Sequence, residues 1–274
     1  MSIDRPILST PWLRHAAAVQ AAARRADWRP WALPAALLAL WSLATGLGWV
    51  DTRILISPWG TAATAWRLLS GTMLWEGLGH SLVRDLTGFV IGSFSGLILG
   101  SLLGASRWAD GAIGPTYHAY KQVALFAWIP LISVWMGMKE PAKITFIALA
   151  TLPPVLQGAY EGVRAVSREH VEVGRVFALS RWQLYFKVIL PSASPQIITG
   201  LRLGLIYAWL GTIGAEYFFA AGPGVGNILI DGREHFLLDQ VIVGVAVVGV
   251  VGYGFHLITT AIEARLLRWR RVRA

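Results

Sequence analysis

Cysteine is absent from the 274 residues. That excludes a disulfide framework, a thiol nucleophile and any thiolate metal site. Charge is scarce as well. Only 14% of residues are Asp, Glu, Lys or Arg, against about 25% in a typical soluble domain. So few charges cannot solvate the surface of a soluble chain of this length. Disorder is excluded too, because disordered chains are poor in apolar residues and 55% of this one is hydrophobic. No Walker A sequence occurs, so ATP is not bound by that route. The six histidines are scattered, with no pair at metal-ligand spacing, and no metal site is expected. The glycine cluster at 222–226 is not a dinucleotide loop, since no strand precedes it. It reads as an external turn.

What the chain does have is long apolar runs, and its mean hydropathy is +0.55. Six stretches approach the roughly 20 residues that cross a hydrocarbon core. They fall at about 30–50, 84–106, 122–138, 142–160, 197–221 and 240–262. The runs are continuous and rich in Leu, Ala and Gly, which fits helices better than the alternating strands of a barrel. The expectation is an all-α polytopic membrane protein with six transmembrane helices. With both termini inside, 18 of the 24 Lys and Arg residues lie on the cytoplasmic side. The net charge of +9 is then a topology signal for an N-in/C-in chain rather than a sign of a nucleic-acid partner.

Residues 1–29 form a basic cytoplasmic lead-in near anionic lipid, and 263–274 a basic cytoplasmic tail. The first apolar run starts too late and runs too long for a cleavable signal. Ser57 and Pro58 suit an N-cap and first helical position, so a short external helix is expected over about 58–69, stopped by Gly71.

Gly92, Gly96, Gly100 and Gly104 repeat every four residues and suit close helix packing inside the fold. Pro130, Pro153 and Pro154 interrupt spans, which is tolerated where they line a cavity or pack on protein. Trp128, Pro130, Tyr207, Gly211 and Glu216 are the candidates for a translocation pathway. Glu216 is the one acid deep in an apolar run, and such an acid faces the interior or a partner. Its structural alternative is an ion pair with Arg202 or Arg233.

The segment 164–191 is long and charged for a connection between spans. Val173, Val176 and Phe177 share one helical face. Ser167 and Ser180 are placed to cap two short helices joined at 178–180. Within it, Glu172-Val173-Gly174, then Ala178, then Val188 and Leu190-Pro191 fall at the spacing of the EAA motif. That motif marks the permease subunits of binding-protein-dependent ABC importers. Both motif alanines are replaced here, and Ala178 stands at the motif glycine. Residues 126–131, 178–184, 200–204, 214–216 and 263–269 resemble the taurine, aliphatic sulfonate and nitrate branch of those permeases. The resemblance covers about 51–269.

The resemblance implies a type I importer permease domain over 30–262, working as a homodimer in a bacterial inner membrane. It implies two separate cytoplasmic ATPases, which carry the ATP and Mg, and a periplasmic binding protein. This chain would bind no cofactor and would not be an enzyme. A coupling surface for the ATPase is implied at Glu169, Glu172, Val173, Gly174, Arg175, Phe177, Ala178, Leu179, Ser180 and Arg181. Small residues at Gly174 and Ala178 would allow close backbone approach to that partner. Two alternatives are an ion-coupled secondary transporter using Glu216 and an intramembrane hydrolase using Ser93 or Ser95.

Overall fold

The structure, a computed structural model, describes residues 29–50, 56–219 and 222–266. The expected lead-in at 1–28 and the tail beyond 266 lie outside the described residues. The chain divides into two compact units, Met1–Trp59 and Gly60–Ala274. In the first, α1 (Arg29–Gly46) carries no charge after its first residue, and Pro34 lies inside it, where it withholds one N–H from the helical ladder. The Trp41 indole donates to the Ile56 carbonyl at 3.0 Å.

All regular structure among the described residues is helical. After α2 (Pro58–Ser70), a helix where one was expected over 58–69, come α3 (Met73–Ala105) and α4 (Arg107–Gln122). A 3-10 turn (Leu125–Trp128) leads into α5 (Ile129–Met136). Next are α6 (Glu140–Arg164), α7 (Arg168–Val176) and α8 (Arg181–Leu184). A π-turn (Tyr185–Ile189) joins α8 to α9 (Leu190–Phe218) without a break. The chain ends its described part with α10 (Val225–Glu234) and α11 (Leu238–Leu266).

Four helical stretches are long and apolar enough to cross a membrane: Met73–Ala105, Glu140–Arg164, Arg181–Phe218 and Leu238–Leu266. The pair Arg107–Gln122 and Leu125–Met136, bent by 100°, brings the number to five if taken as one span, and Ala32–Gly46 is a shorter apolar helix.

Two features differ from the expectation. Residues 122–138 are not one helix. Val123 and Ala124 take extended ψ values of 124° and 133°, and Pro130, near the start of α5, supplies no N–H to continue a helix from before it. And α3 begins at Met73, well before residue 84. Arg84 and Asp85 stay within the helix because both are buried against partners rather than facing lipid.

The centre of the second unit is α6, packed between α3 and α9. The closest approaches of this seam fall at glycines. A Cβ on Gly92 would lie 2.5 Å from the Ala148 carbonyl oxygen, and one on Gly100 would lie 2.4 Å from that of Leu156. On the other side, a Cβ on Gly158 would lie 2.7 Å from the Cα of Gly200. Small residues allow helices this close where lipid supplies no hydrophobic drive between them. The glycine repeat of α3 therefore packs within the fold, as its spacing suggests.

Pro153 removes the donor for the Leu149 carbonyl. The Tyr120 hydroxyl donates to that oxygen at 2.9 Å instead, which is how a proline is tolerated inside a buried span. Tyr117 reaches the Pro153 carbonyl at 3.2 Å from the same helix, α4.

Because the obstacle at Gly100 is backbone, Gly100→Leu should lower the melting temperature in detergent, at a cost of about 1–3 kcal/mol or more. Gly249→Leu, at a position with nothing within 4 Å, should not. Equal melting temperatures for the two variants would contradict the seam.

Candidate functional site

Three features carry the candidate chemistry. The first is the helical pair within 164–191. The Ser167 hydroxyl accepts from the His170 amide at 3.4 Å and starts α7. The helix closes in a Schellman motif: the Leu179 amide donates to the Gly174 carbonyl at 3.2 Å, and the Ala178 amide to that of Arg175 at 2.8 Å. This geometry needs a left-handed residue, and Ala178 takes it with φ +52°. Ser180 then opens α8 with a capping box, its amide donating to Gln183 Oε1 at 3.0 Å and the Gln183 amide to its hydroxyl at 3.3 Å.

These two caps fix a sharp corner that holds apolar side chains out in solvent. Val176 is 84% exposed and Phe177 and Trp182 each 75%. Trp182 stacks on Phe186 with centroids 6.1 Å apart. Glu169, Glu172, Val173, Arg175, Ser180 and Arg181 are exposed around them, and Leu179 is half-buried. Beside the corner lies a groove of ≈ 560 Å³, with Val173, Phe177, Leu179 and Val188 in its walls.

Gly174 is buried, and a Cβ there would stand 2.5 Å from Leu184 Cδ1. Its small size lets α7 rest on α8. Ala178 is likewise set by backbone conformation.

The second feature is a cavity of ≈ 590 Å³ between α4, the 3-10 turn, α6 and α9. Trp128, Tyr207 and Gly211 line it together, as do Phe126, Pro153 and Pro154. Pro130 and Glu216 are not in its lining.

The third is the buried charge cluster that holds Glu216. Its partner is Arg84 of α3, whose Nη1 donates to Glu216 Oε1 at 2.8 Å. The expected partners are engaged elsewhere: Arg202 with Glu263 at 3.1 Å, and Arg233 with the Tyr217 hydroxyl. The Ser81 hydroxyl donates to the same Oε1 at 2.6 Å, and the Gly226 amide to Oε2 at 2.8 Å. Arg84 also forks onto Glu140, with Nε at 2.5 Å from Oε2 and Nη2 at 2.7 Å from Oε1. Its Nη1 reaches the Pro223 carbonyl at 2.7 Å.

The glycine run at 222–226 explains how this fits. A Cβ on Gly224 would meet Glu216 Cδ at 2.5 Å, and one on Gly226 would meet Glu216 Cβ at 2.6 Å. The carboxylate thus sits against the N-terminus of α10, where amides and helix dipole favour negative charge. The acid-then-glycine spacing was the available sequence signal, although Arg84, 132 residues away, was not visible from it.

The hydrolase alternative finds no support. The buried Ser93 hydroxyl has no hydrogen-bond partner among the described residues, and His256 lies 3.1 Å from Arg202 Nη2.

An all-helical bundle with four helices long and apolar enough to cross a membrane among the described residues fits the class of multi-pass membrane proteins. Residues 88–269 match the family "Binding-protein-dependent transport system inner membrane component", and the chain belongs to that family. It is 38% identical over 240 residues to SsuC of Escherichia coli (strain K12), named as an aliphatic sulfonates transport permease, covering 88% of this chain and 91% of that one. It is 33% identical to the taurine transport system permease TauC of the same organism, over 72% and 71% of the two chains. The nitrate import permease NrtB of Synechocystis is 31% identical over 65% and 66%. A chain of the inward-facing MetNI methionine ABC transporter superposes with a TM-score of 0.61 at 16% identity, covering 71% of this chain and 96% of that one. The fold is that of a type I ABC importer permease, and the relatives are transport permeases rather than enzymes. The inner membrane is where the family resides.

Ala178→Gly should stabilise the corner, because an alanine in the left-handed region costs roughly 1–2 kcal/mol that glycine avoids. Amide exchange over 174–184 should slow in that variant. Faster exchange would show that the Schellman geometry is not what holds the joint.

Proposed function

We propose that this chain is the transmembrane subunit of an ATP-driven importer for a small oxyanion, sulfonate or taurine-like, with nitrate as a related candidate. A periplasmic binding protein delivers the substrate. Two copies of the chain pair with two separate ATPases, which hold the ATP and Mg. Coupling runs through residues 172–180. The observation that carries this reading is the corner at Ala178, where two capped helices hold Val176, Phe177 and Trp182 in solvent at the EAA-motif spacing. Apolar and aromatic side chains held rigidly outward are what a protein partner needs as anchors. Permease relatives named for sulfonates, taurine and nitrate support the substrate range.

The corner joins a continuous helical stretch, Arg181–Phe218, so a push on the corner acts directly on α9. Tyr207 and Gly211 of that helix line the cavity. Closure of the ATPases would then reshape the cavity without any hinge loop between. The ion-coupled alternative would need Glu216 free to exchange a cation. Its bonds to Arg84, Ser81 and Gly226 argue against that use.

Phe177→Ser should weaken co-purification of the ATPase by roughly 10- to 100-fold, as loss of an interface anchor does. Glu172→Lys should weaken it as well, and both variants should still insert in the membrane. Full ATPase retention with undiminished uptake in both would count against the coupling surface.

A further inference from the structure

We propose that the cavity between α4, α6 and α9 is a recognition site of the permease itself for an amphiphilic organic anion, a short alkyl sulfonate with its head group on Lys121. This rests on the importer reading above and deepens it. The cavity holds ≈ 590 Å³, and its lining is mainly apolar and aromatic, including Phe126, Trp128, Leu203 and Tyr207. Lys121 is the one charged residue in that lining. It projects from the end of α4, is exposed, and lies 5.7 Å from the centroid of the Tyr117 ring.

Three arginines of the bundle are committed to carboxylates. Arg84 holds Glu216 at 2.8 Å, Arg164 holds Asp110 at 3.0 Å and Arg202 holds Glu263 at 3.1 Å. Lys121 forms no carboxylate ion pair among the described residues. Its ammonium donates only to the neutral Gln157 Oε1, at 3.3 Å. Gln157 in turn directs its amide onto Glu161, so that acid is held by Gln157 and not by the lysine. The Tyr120 hydroxyl is taken up by the Leu149 carbonyl and is not a spare donor for a ligand. An anion can therefore replace a weak neutral contact on Lys121 and gain a charge-assisted one.

The rest of the lining selects the remainder of the ligand. A bare oxyanion such as nitrate would satisfy Lys121 and leave the aromatic walls facing water. An alkyl tail fills that space, and burial of each methylene should raise affinity roughly fourfold until the slot is full. The site thus separates an organic sulfonate from the inorganic anions that some relatives of this fold are named for.

The test is calorimetric binding at fixed ionic strength, with the full-length chain in zwitterionic nanodiscs. The probes are ethane-, butane- and hexanesulfonate, sodium nitrate and butan-1-ol, each with wild type, Lys121→Gln and Lys121→Arg. Expected are affinities that rise with chain length, nitrate and butan-1-ol binding at least tenfold more weakly than butanesulfonate, a loss of tenfold or more in Lys121→Gln, and recovery in Lys121→Arg. Unchanged butanesulfonate affinity in Lys121→Gln would overturn the site. So would equal binding of butan-1-ol, which would mark a slot for lipid tails, or nitrate binding as tight as butanesulfonate. A separate arm measures ATP-dependent uptake by the assembled transporter. No uptake there would overturn the importer reading, whereas uptake with no Lys121 effect on binding would overturn the site alone.

Discussion

The constraint on which the bundle depends is the burial of Glu216 against Arg84. Neither side chain has solvent to fall back on: Glu216 is 0% exposed and Arg84 4%. Removing one partner from such a pair leaves an uncompensated charge and costs about 3–5 kcal/mol. The pair therefore dictates what surrounds it. Ser81 must lie one turn back on α3, Glu140 must open α6 beside the guanidinium, and the turn at 222–226 must be bare enough to bring amides onto the carboxylate. Four elements meet at one end because one arginine and one glutamate require it.

From that end the glycine seams carry the order along the helices. With α3 and α9 in backbone contact with α6, the three helices have little freedom to slide past each other. The Pro153-Pro154 step and the broken segment 122–138 wall the cavity. The capped corner of α7 and α8 reaches α9 through a π-turn. The stretch Arg181–Phe218 has 38 residues, about 57 Å of helix. It links the exposed corner, the cavity and the buried Glu216 in a single rod. A partner that moves the corner therefore acts on the cavity against a fixed far end.

Much of this was legible in the sequence where the physics is local. Ser167 and Ser180 cap as their spacing implies, and the joint falls at 178–180 because a left-handed residue must end α7. The glycine repeat of α3 announces a close helix contact, and Trp128, Tyr207 and Gly211 do share one cavity. What was not legible is what depends on distant partners. Arg84 opens the expected span at 84–106, and nothing near it in sequence points to Glu216. The break at 122–138 hides inside an apolar run, because hydropathy does not register a change of direction at Val123 and Ala124. The packing of Leu184 against Gly174 likewise has no sign in the local sequence.

The account's central claim is that Arg84 and Glu216 act as one unit holding that end of the bundle. A double-mutant cycle tests it most directly, with Arg84→Met, Glu216→Gln and the double variant unfolded from mixed micelles. If the pair is the organising contact, each single change should be costly and the double should cost less than their sum, with a coupling of roughly 1–3 kcal/mol. Additive losses would contradict it and would mean that the two groups meet there without supporting one another.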